Sequence, residues 1–183
     1  LTNFEKQITL FLNGGQMKIY LLCGMIASGK STYCKHAAKE GSIIVNDDSI
    51  VNCVHADNYL LYNPKLKTLY KSTENHLVNM AIALQRTAIV DRGLNVSVRA
   101  RKRWIAMADS LDVPCEAIVF PRDSNELHAK RRFENDSRGL SYDVWLNIAR
   151  RHSADYAVPT VEEGLDAVHY ITWDEIQKGK VIV

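Results

Sequence analysis

A chain of 183 residues with 46% hydrophobic content can bury one sizeable core but leaves little room for a second full domain. Its formal net charge of +2 sets up no global basic field, so any nucleic acid would have to be met by local clusters. The four cysteines lack the paired short spacings of a zinc site and no apolar run approaches the roughly 20 residues that span a bilayer, so a protein of the reducing cytoplasm with no membrane partner is expected.

Residues 1–16 (LTNFEKQITLFLNGGQ) end in Gly-Gly just before Met17 and are read as a non-native or accessory extension, with residues 17–183 as the functional domain. From Met17 onward, short apolar runs alternate with longer amphipathic segments, the pattern of βα units on a parallel sheet. Strands are expected at Lys18–Cys23, Ile43–Asn46, Ala88–Asp91, Cys115–Phe120 and Ala167–Thr172. Helices are expected at Lys30–Glu40, Pro64–Gln85, Ser97–Ser110, Asn125–Glu134 and Tyr142–Arg151, with Pro64 suited to a first helical position because it has no amide hydrogen to lose there. The expected class is α/β, a five-stranded parallel sheet flanked by helices.

The first strand runs into Gly24-Met25-Ile26-Ala27-Ser28-Gly29-Lys30-Ser31, which fits G-x-x-x-x-G-K-[ST] between a strand and a helix. Glycines let backbone amides turn toward phosphate oxygens, and the helix amino terminus adds positive potential where the anion sits. Gly24, Ala27, Ser28, Gly29, Lys30, Ser31 and Thr32 are the expected nucleotide contacts, with Lys30 reaching the β- and γ-phosphates and the Ser31 hydroxyl on magnesium. ATP and Mg2+ are the expected cofactors.

Three further segments carry chemistry. The third apolar run ends in Asp91, which suits a second magnesium ligand beside Ser31 (the Walker B position) or, more blandly, a turn cap. The second run leads into Asp47-Asp48 at the carboxyl end of a strand, the edge where open α/β sheets bind ligands. A kinase needs a carboxylate there to take the proton of an acceptor hydroxyl; the alternative is that Asp47 caps a helix beginning near Ser49. After the fourth strand, Arg131, Arg132 and Arg138 bracket a polar loop with Gly139, a pattern suited to a lid that delivers positive charge to a transferred phosphoryl group.

Phosphate loop, Asp-Asp after strand two, the D-x-x-x-N of residues 91–95 and an arginine-bearing lid together resemble the 5′-hydroxyl polynucleotide kinase branch of P-loop kinases, as in the bacteriophage polynucleotide kinase family. That branch lies within a wider group of small AAA-type and zeta-toxin-like P-loop kinases. The resemblance implies a kinase fold with a lid, Asp47 as general base, and lid arginines at Arg131 or Arg132 and at Arg138. It implies ATP as donor and DNA or RNA 5′ ends as acceptor; a nucleotide, a sugar nucleotide or another small molecule is the alternative acceptor. A non-enzymatic nucleotide switch is a third reading with no positive support in the sequence.

Two departures qualify the match. Ile50 stands where that family has an arginine three residues after the catalytic aspartate, and Arg92-Gly93 replace Thr-Asn in the family's Asp-Thr-Asn-Leu-Asn segment. The chain also lacks the Asp-x-Asp-Gly-Thr phosphatase motif, so it resembles a kinase domain alone. Arg99, Lys102 and Arg103 share one helical face and are read as a solvated face over an inward Trp104 and Ile105, with a phosphate-backbone contact as the alternative. The six histidines show no metal spacing.

Overall fold

The structure, a computed structural model, describes residues 17–136 and 138–182; the reading of residues 1–16 as an extension lies outside the described residues. Five strands form one parallel sheet: β1 (Ile19–Cys23), β2 (Ile43–Asn46), β3 (Ala88–Asp91), β4 (Cys115–Val119) and β5 (Ala167–Tyr170). Their spatial order is β2-β3-β1-β4-β5. Helices α1 (Lys30–Lys39), α2 (Asp47–Val54), α3 (Lys67–Ala83), α4 (Val98–Leu111), α5 (Asn125–Glu134), α6 (Tyr142–Asp155) and α7 (Trp173–Gln177) link and cover the strands. The α/β class, the five strands and the flanking helices match the expectation.

Why these residues make a doubly covered sheet is visible in their alternation. Ile19, Leu21 and Cys23 of β1 join Val45, Ala88, Val90, Cys115 and Ala117 on one face, under Val78 and Ile82 of α3 and Trp104 and Ala108 of α4. Tyr20 and Leu22 join Ile89 and Ile118 on the other, against Tyr33, Cys34 and Ala37 of α1 and Ile176 of α7. A strand buried on both faces favours apolar residues along its length, and β1 reads IYLLC with no charged residue. Each fully buried Leu or Ile contributes about 1.5–3 kcal/mol, so the central strands carry much of the stability.

Some boundaries move. The helix expected from Pro64 begins as a short 3₁₀ turn, Pro64–Leu66, and becomes α-helical at Lys67. The cap expected from Asp47 is instead Asn46, whose side-chain oxygen accepts from the Ser49 amide at 2.7 Å, leaving Asp47 in the first turn of α2. Arg103 leaves the solvated face expected for it and pairs with the buried Glu74 of α3, while Trp104 and Ile105 pack inward as expected. Helix α7, absent from the sequence reading, is set by a capping box in which Thr172 and Glu175 satisfy each other's amides.

The topology positions the site. Because every strand runs the same way, the segments after β1, β2 and β3 emerge at one edge, and the register pairs Leu22 with Asp91 and Asn46 with Asp91. The chain turns to opposite sides of β1 when it builds β3 and then β4, and the crevice at such a switch point is where ligands bind. Over this edge, α5 and α6 pack on the loop itself, with Met25 buried among Ala129, Trp145 and Ala149. Among the described residues no helix is long and apolar enough to cross a membrane.

Candidate active site

A pocket of about 750 Å³ opens at the carboxyl edge of the sheet and gathers residues from the phosphate loop, α2, β3, α5, α6 and α7. Lys30, Ser31, Thr32, Asp47, Asp48, Asp91, Arg131, Arg132 and Arg138 all line it, together with Ala27, Ser28 and Gly29. Segments as far apart in sequence as Ile26 and Trp173 thus meet at one cavity.

The loop has the backbone this requires. Ala27 (φ 49°) and Gly29 (φ 93°) lie in the left-handed region, which turns successive amides toward a common point. Gly24 has no room for a side chain: a Cβ would lie 2.5 Å from Ser28 Oγ and 2.7 Å from Phe120 Cβ. No side chain caps the first turn of α1, so its amides face the pocket and suit an anion. Lys30 is buried, and its ammonium donates to the carbonyls of Gly24 at 2.8 Å and Met25 at 2.7 Å. Burial lowers its pKa, opposed by the nearby Asp91.

Asp91 is not a turn cap. Its Oδ2 accepts from Asn46 Nδ2 at 3.0 Å and from the Cys34 thiol at 3.7 Å, inside the sheet edge. Burial pushes its carboxyl above the usual range, and Lys30 pulls it back. Ser31 and Asp91 both offer hard oxygens to the pocket, which fits magnesium, an ion that keeps waters and phosphate oxygens and needs one or two protein ligands. No cluster of three or more His, Cys, Asp or Glu that could hold a metal occurs among the described residues.

Asp47 and Asp48 diverge in role. Asp47 Oδ1 accepts from the Asp48 amide at 3.1 Å, and Oδ2 accepts from Arg92 Nε at 3.2 Å. Burial raises the Asp47 carboxyl to about 6, with Arg92 holding it lower than burial alone would. Asp48 pairs with Arg138, whose guanidinium lies 3.6 Å from the centre of the Tyr59 ring. The three arginines expected in the lid are already engaged, the other two being Arg131, with Asp123 at 2.6 Å and over Trp173 at 4.4 Å, and Arg132, over Trp145 at 4.7 Å. Each would have to leave a protein partner to meet a phosphate.

The pocket also contains groups that sequence reading passed over. Trp173 lines it beside the phosphate loop, where a Cβ on Gly29 would come within 3.2 Å of the indole. His152 lines the pocket from α6; burial lowers its pKa to about 4, so it is neutral, and a Cβ at Gly93 would approach its ring to 3.1 Å. A side chain at position 93 would therefore press on that ring. Glu74, 1% exposed, was legible in principle, because Tyr70, Glu74 and Val78 recur every four residues and place an acid on the buried stripe of α3.

A family model described as an AAA domain matches residues 19–160, the greater part of the chain and every strand but β5. The chain belongs to that AAA domain family. Solved structures agree with the fold at low identity. A component of the Pnkp1/Rnl/Hen1 RNA repair complex is 17% identical with a TM-score of 0.61, over 78% of this chain and 47% of that one. A candidate kinase from Chloroflexus aurantiacus gives 12% and 0.63, over 92% and 91%, and a fungal RNA kinase gives 14% and 0.57, over 86% and 77%. The chain therefore spans about half the length of the repair-complex component. No curated protein sequence matches it. This AAA domain therefore shares its fold with structures that include an RNA kinase and a component of an RNA repair complex.

Proposed function

We propose that this AAA domain is an ATP-dependent kinase that transfers the γ-phosphoryl group to the 5′-hydroxyl of a polynucleotide. One observation carries the reading: a single pocket gathers a phosphate loop with Lys30 and Ser31, a half-buried carboxylate at Asp47, a second at Asp91, and three arginines from the lid segment. A nucleotide switch needs no carboxylate raised toward neutrality beside the phosphate site, whereas a kinase does.

In the proposed reaction Asp47 accepts the proton of the acceptor hydroxyl, a bond forms from that oxygen to the γ-phosphorus, and the bond to the β,γ-bridging oxygen breaks to leave ADP. Lys30 exchanges its loop carbonyls for β- and γ-phosphate oxygens. Magnesium held by Ser31 and Asp91 would offset charge on those oxygens. Arg131, Arg132 and Arg138 swing from their protein partners onto the transferred group. Trp173 and Arg131 offer a flat wall for the donor base.

A small-molecule acceptor is the second reading, favoured by Ile50: it is buried in the core, so α2 supplies no cation at that position for a strand phosphate. Transfer of labelled γ-phosphate, offered to 5′-hydroxyl DNA and RNA oligonucleotides beside nucleosides, nucleotides and sugar nucleotides, decides between them. Labelled oligonucleotide, with affinity that falls steeply as salt rises, is the expected result. Label on a small molecule with the oligonucleotide untouched would overturn the acceptor assignment, and label on neither would overturn the kinase reading.

A further inference from the structure

Beneath the pocket, a chain of buried charges runs from α3 to Asp47. The Glu74 carboxylate is enclosed in the protein, where an unpaired charge would cost several kcal/mol. Two arginines neutralise it from opposite sides: Arg92, with Nε 3.1 Å from Oε1, and Arg103, whose Nη2 donates to Oε2. Arg103 is itself fixed by the Asn75 side-chain oxygen at 3.1 Å and by the Trp104 ring, 3.9 Å from its guanidinium. Arg92 is nearly buried, and the same Nε lies 3.2 Å from Asp47 Oδ2, so its guanidinium bridges two carboxylates.

An apolar residue at position 74 would fill the stripe between Tyr70 and Val78 without any desolvation cost, so core packing does not account for the carboxylate. What Glu74 adds is a guanidinium held in place beside Asp47. We propose that Arg92, anchored by Glu74, is the positioning residue for Asp47: it fixes the plane of that carboxylate and supplies the countercharge that keeps it ionised. The proposal rests on the kinase reading for the purpose of Asp47, but not for the coupling between the two groups.

The arrangement suits proton acceptance. With Oδ1 held by the Asp48 amide and Oδ2 by Arg92, the carboxylate has one orientation, and each oxygen keeps a lone pair for an acceptor hydroxyl. The charged or titratable groups that face Asp47 are Arg92 and Arg103 from the β3–α4 side, Glu74 from α3, its neighbour Asp48, Lys30 from α1, and Tyr59. Among the described residues, Arg92 is the one side chain that donates a hydrogen bond to the Asp47 carboxylate, the other donor being the Asp48 backbone amide.

The test follows Asp47 directly. Carboxyl carbon NMR on protein labelled at aspartate, with the Asp47 signal assigned by its loss in Asp47→Asn, gives its titration; transfer kinetics are measured alongside. In Arg92→Gln the Asp47 titration is expected to move up by about one unit, because a neighbouring cation favours the charged form. The kcat is expected to fall by about 10- to 100-fold while KM for ATP stays within about two-fold, as for a misplaced but intact catalytic group. Glu74→Gln removes an anion and is expected to move the titration down, opposite to Arg92→Gln, while also lowering kcat. Arg92→Lys keeps charge without the planar fork, so it restores the titration and only part of kcat. An Asp47 titration unmoved in both Arg92→Gln and Glu74→Gln, or one moved with kcat unchanged, overturns the proposal. A parent protein that transfers to no acceptor sinks the kinase reading, and the titration then decides the Arg92–Asp47 coupling by itself.

Discussion

Asp47→Asn is expected to stabilise the fold while abolishing transfer. The folded state raises this carboxyl from 3.8 to about 6, chiefly by burial. Between about pH 4 and pH 6 the folded protein therefore holds a proton that the unfolded chain has released, so stability falls as pH rises through that window and the full penalty stands above it. A shift of about two units sets a ceiling near 3 kcal/mol. The Asp47 side chain keeps 30% of its exposure, and water screens part of the penalty, which brings the expected gain in Asp47→Asn to about 1 kcal/mol. Asparagine retains an oxygen for the Asp48 amide or Arg92, so little packing is lost. Urea unfolding of parent and variant at pH 8 and pH 4 is the assay: a difference of about 1 kcal/mol at pH 8 that vanishes at pH 4 is expected. A variant less stable than the parent at pH 8, or a difference independent of pH, would refute the argument from burial. Transfer should fall by about 10²- to 10⁴-fold, the range for losing a proton acceptor.

Lys30→Ala should weaken nucleotide binding by about 10- to 100-fold, the worth of charge-assisted hydrogen bonds to phosphate, and titration calorimetry with ATP reads it. Trp173→Ala removes the flat wall next to Gly29 and should cost about 10-fold in nucleotide affinity, the lower end of base–aromatic stacking; a nucleotide that binds equally well would place the base elsewhere. Arg101→Met should lower stability by about 3–5 kcal/mol in urea unfolding, because it leaves Glu163 half-buried without its guanidinium and frees the carbonyls of Asn95 and Ala157.

Local pattern carried far into this fold and then stopped at particular residues. The helix Asn125–Glu134 has the bounds expected of it, since Ser124 caps it by accepting from the Leu127 amide; the next one begins at Tyr142 as expected and runs on to Asp155. Helix α2 begins two residues before the Ser49 start weighed from sequence, because the two acids complement the helix dipole in its first turn and Asn46 does the capping. Arg101 stands between Arg99 and Arg103 in sequence but precedes Trp104, Ile105 and Ala108 by three, four and seven residues, which places it on the buried stripe of α4; what that spacing does not give is its partner. Arg101 is fully buried, because α4 turns that one position onto Glu163 and the carbonyls of Asn95 and Ala157.

By itself the sequence determined the α/β class, the phosphate loop and the acidic strand ends, because short apolar runs in the strands, a period near 3.6 in the helices and a glycine-lysine loop are local features. Tertiary structure alone decided which charges meet. Arg92 reaches Asp47 across 45 residues, Arg138 reaches Asp48 across 90, and Arg101 reaches Glu163 across 62. Those pairings depend on parallel strands delivering distant segments to one edge, and on burial making each unpaired charge too costly to leave alone.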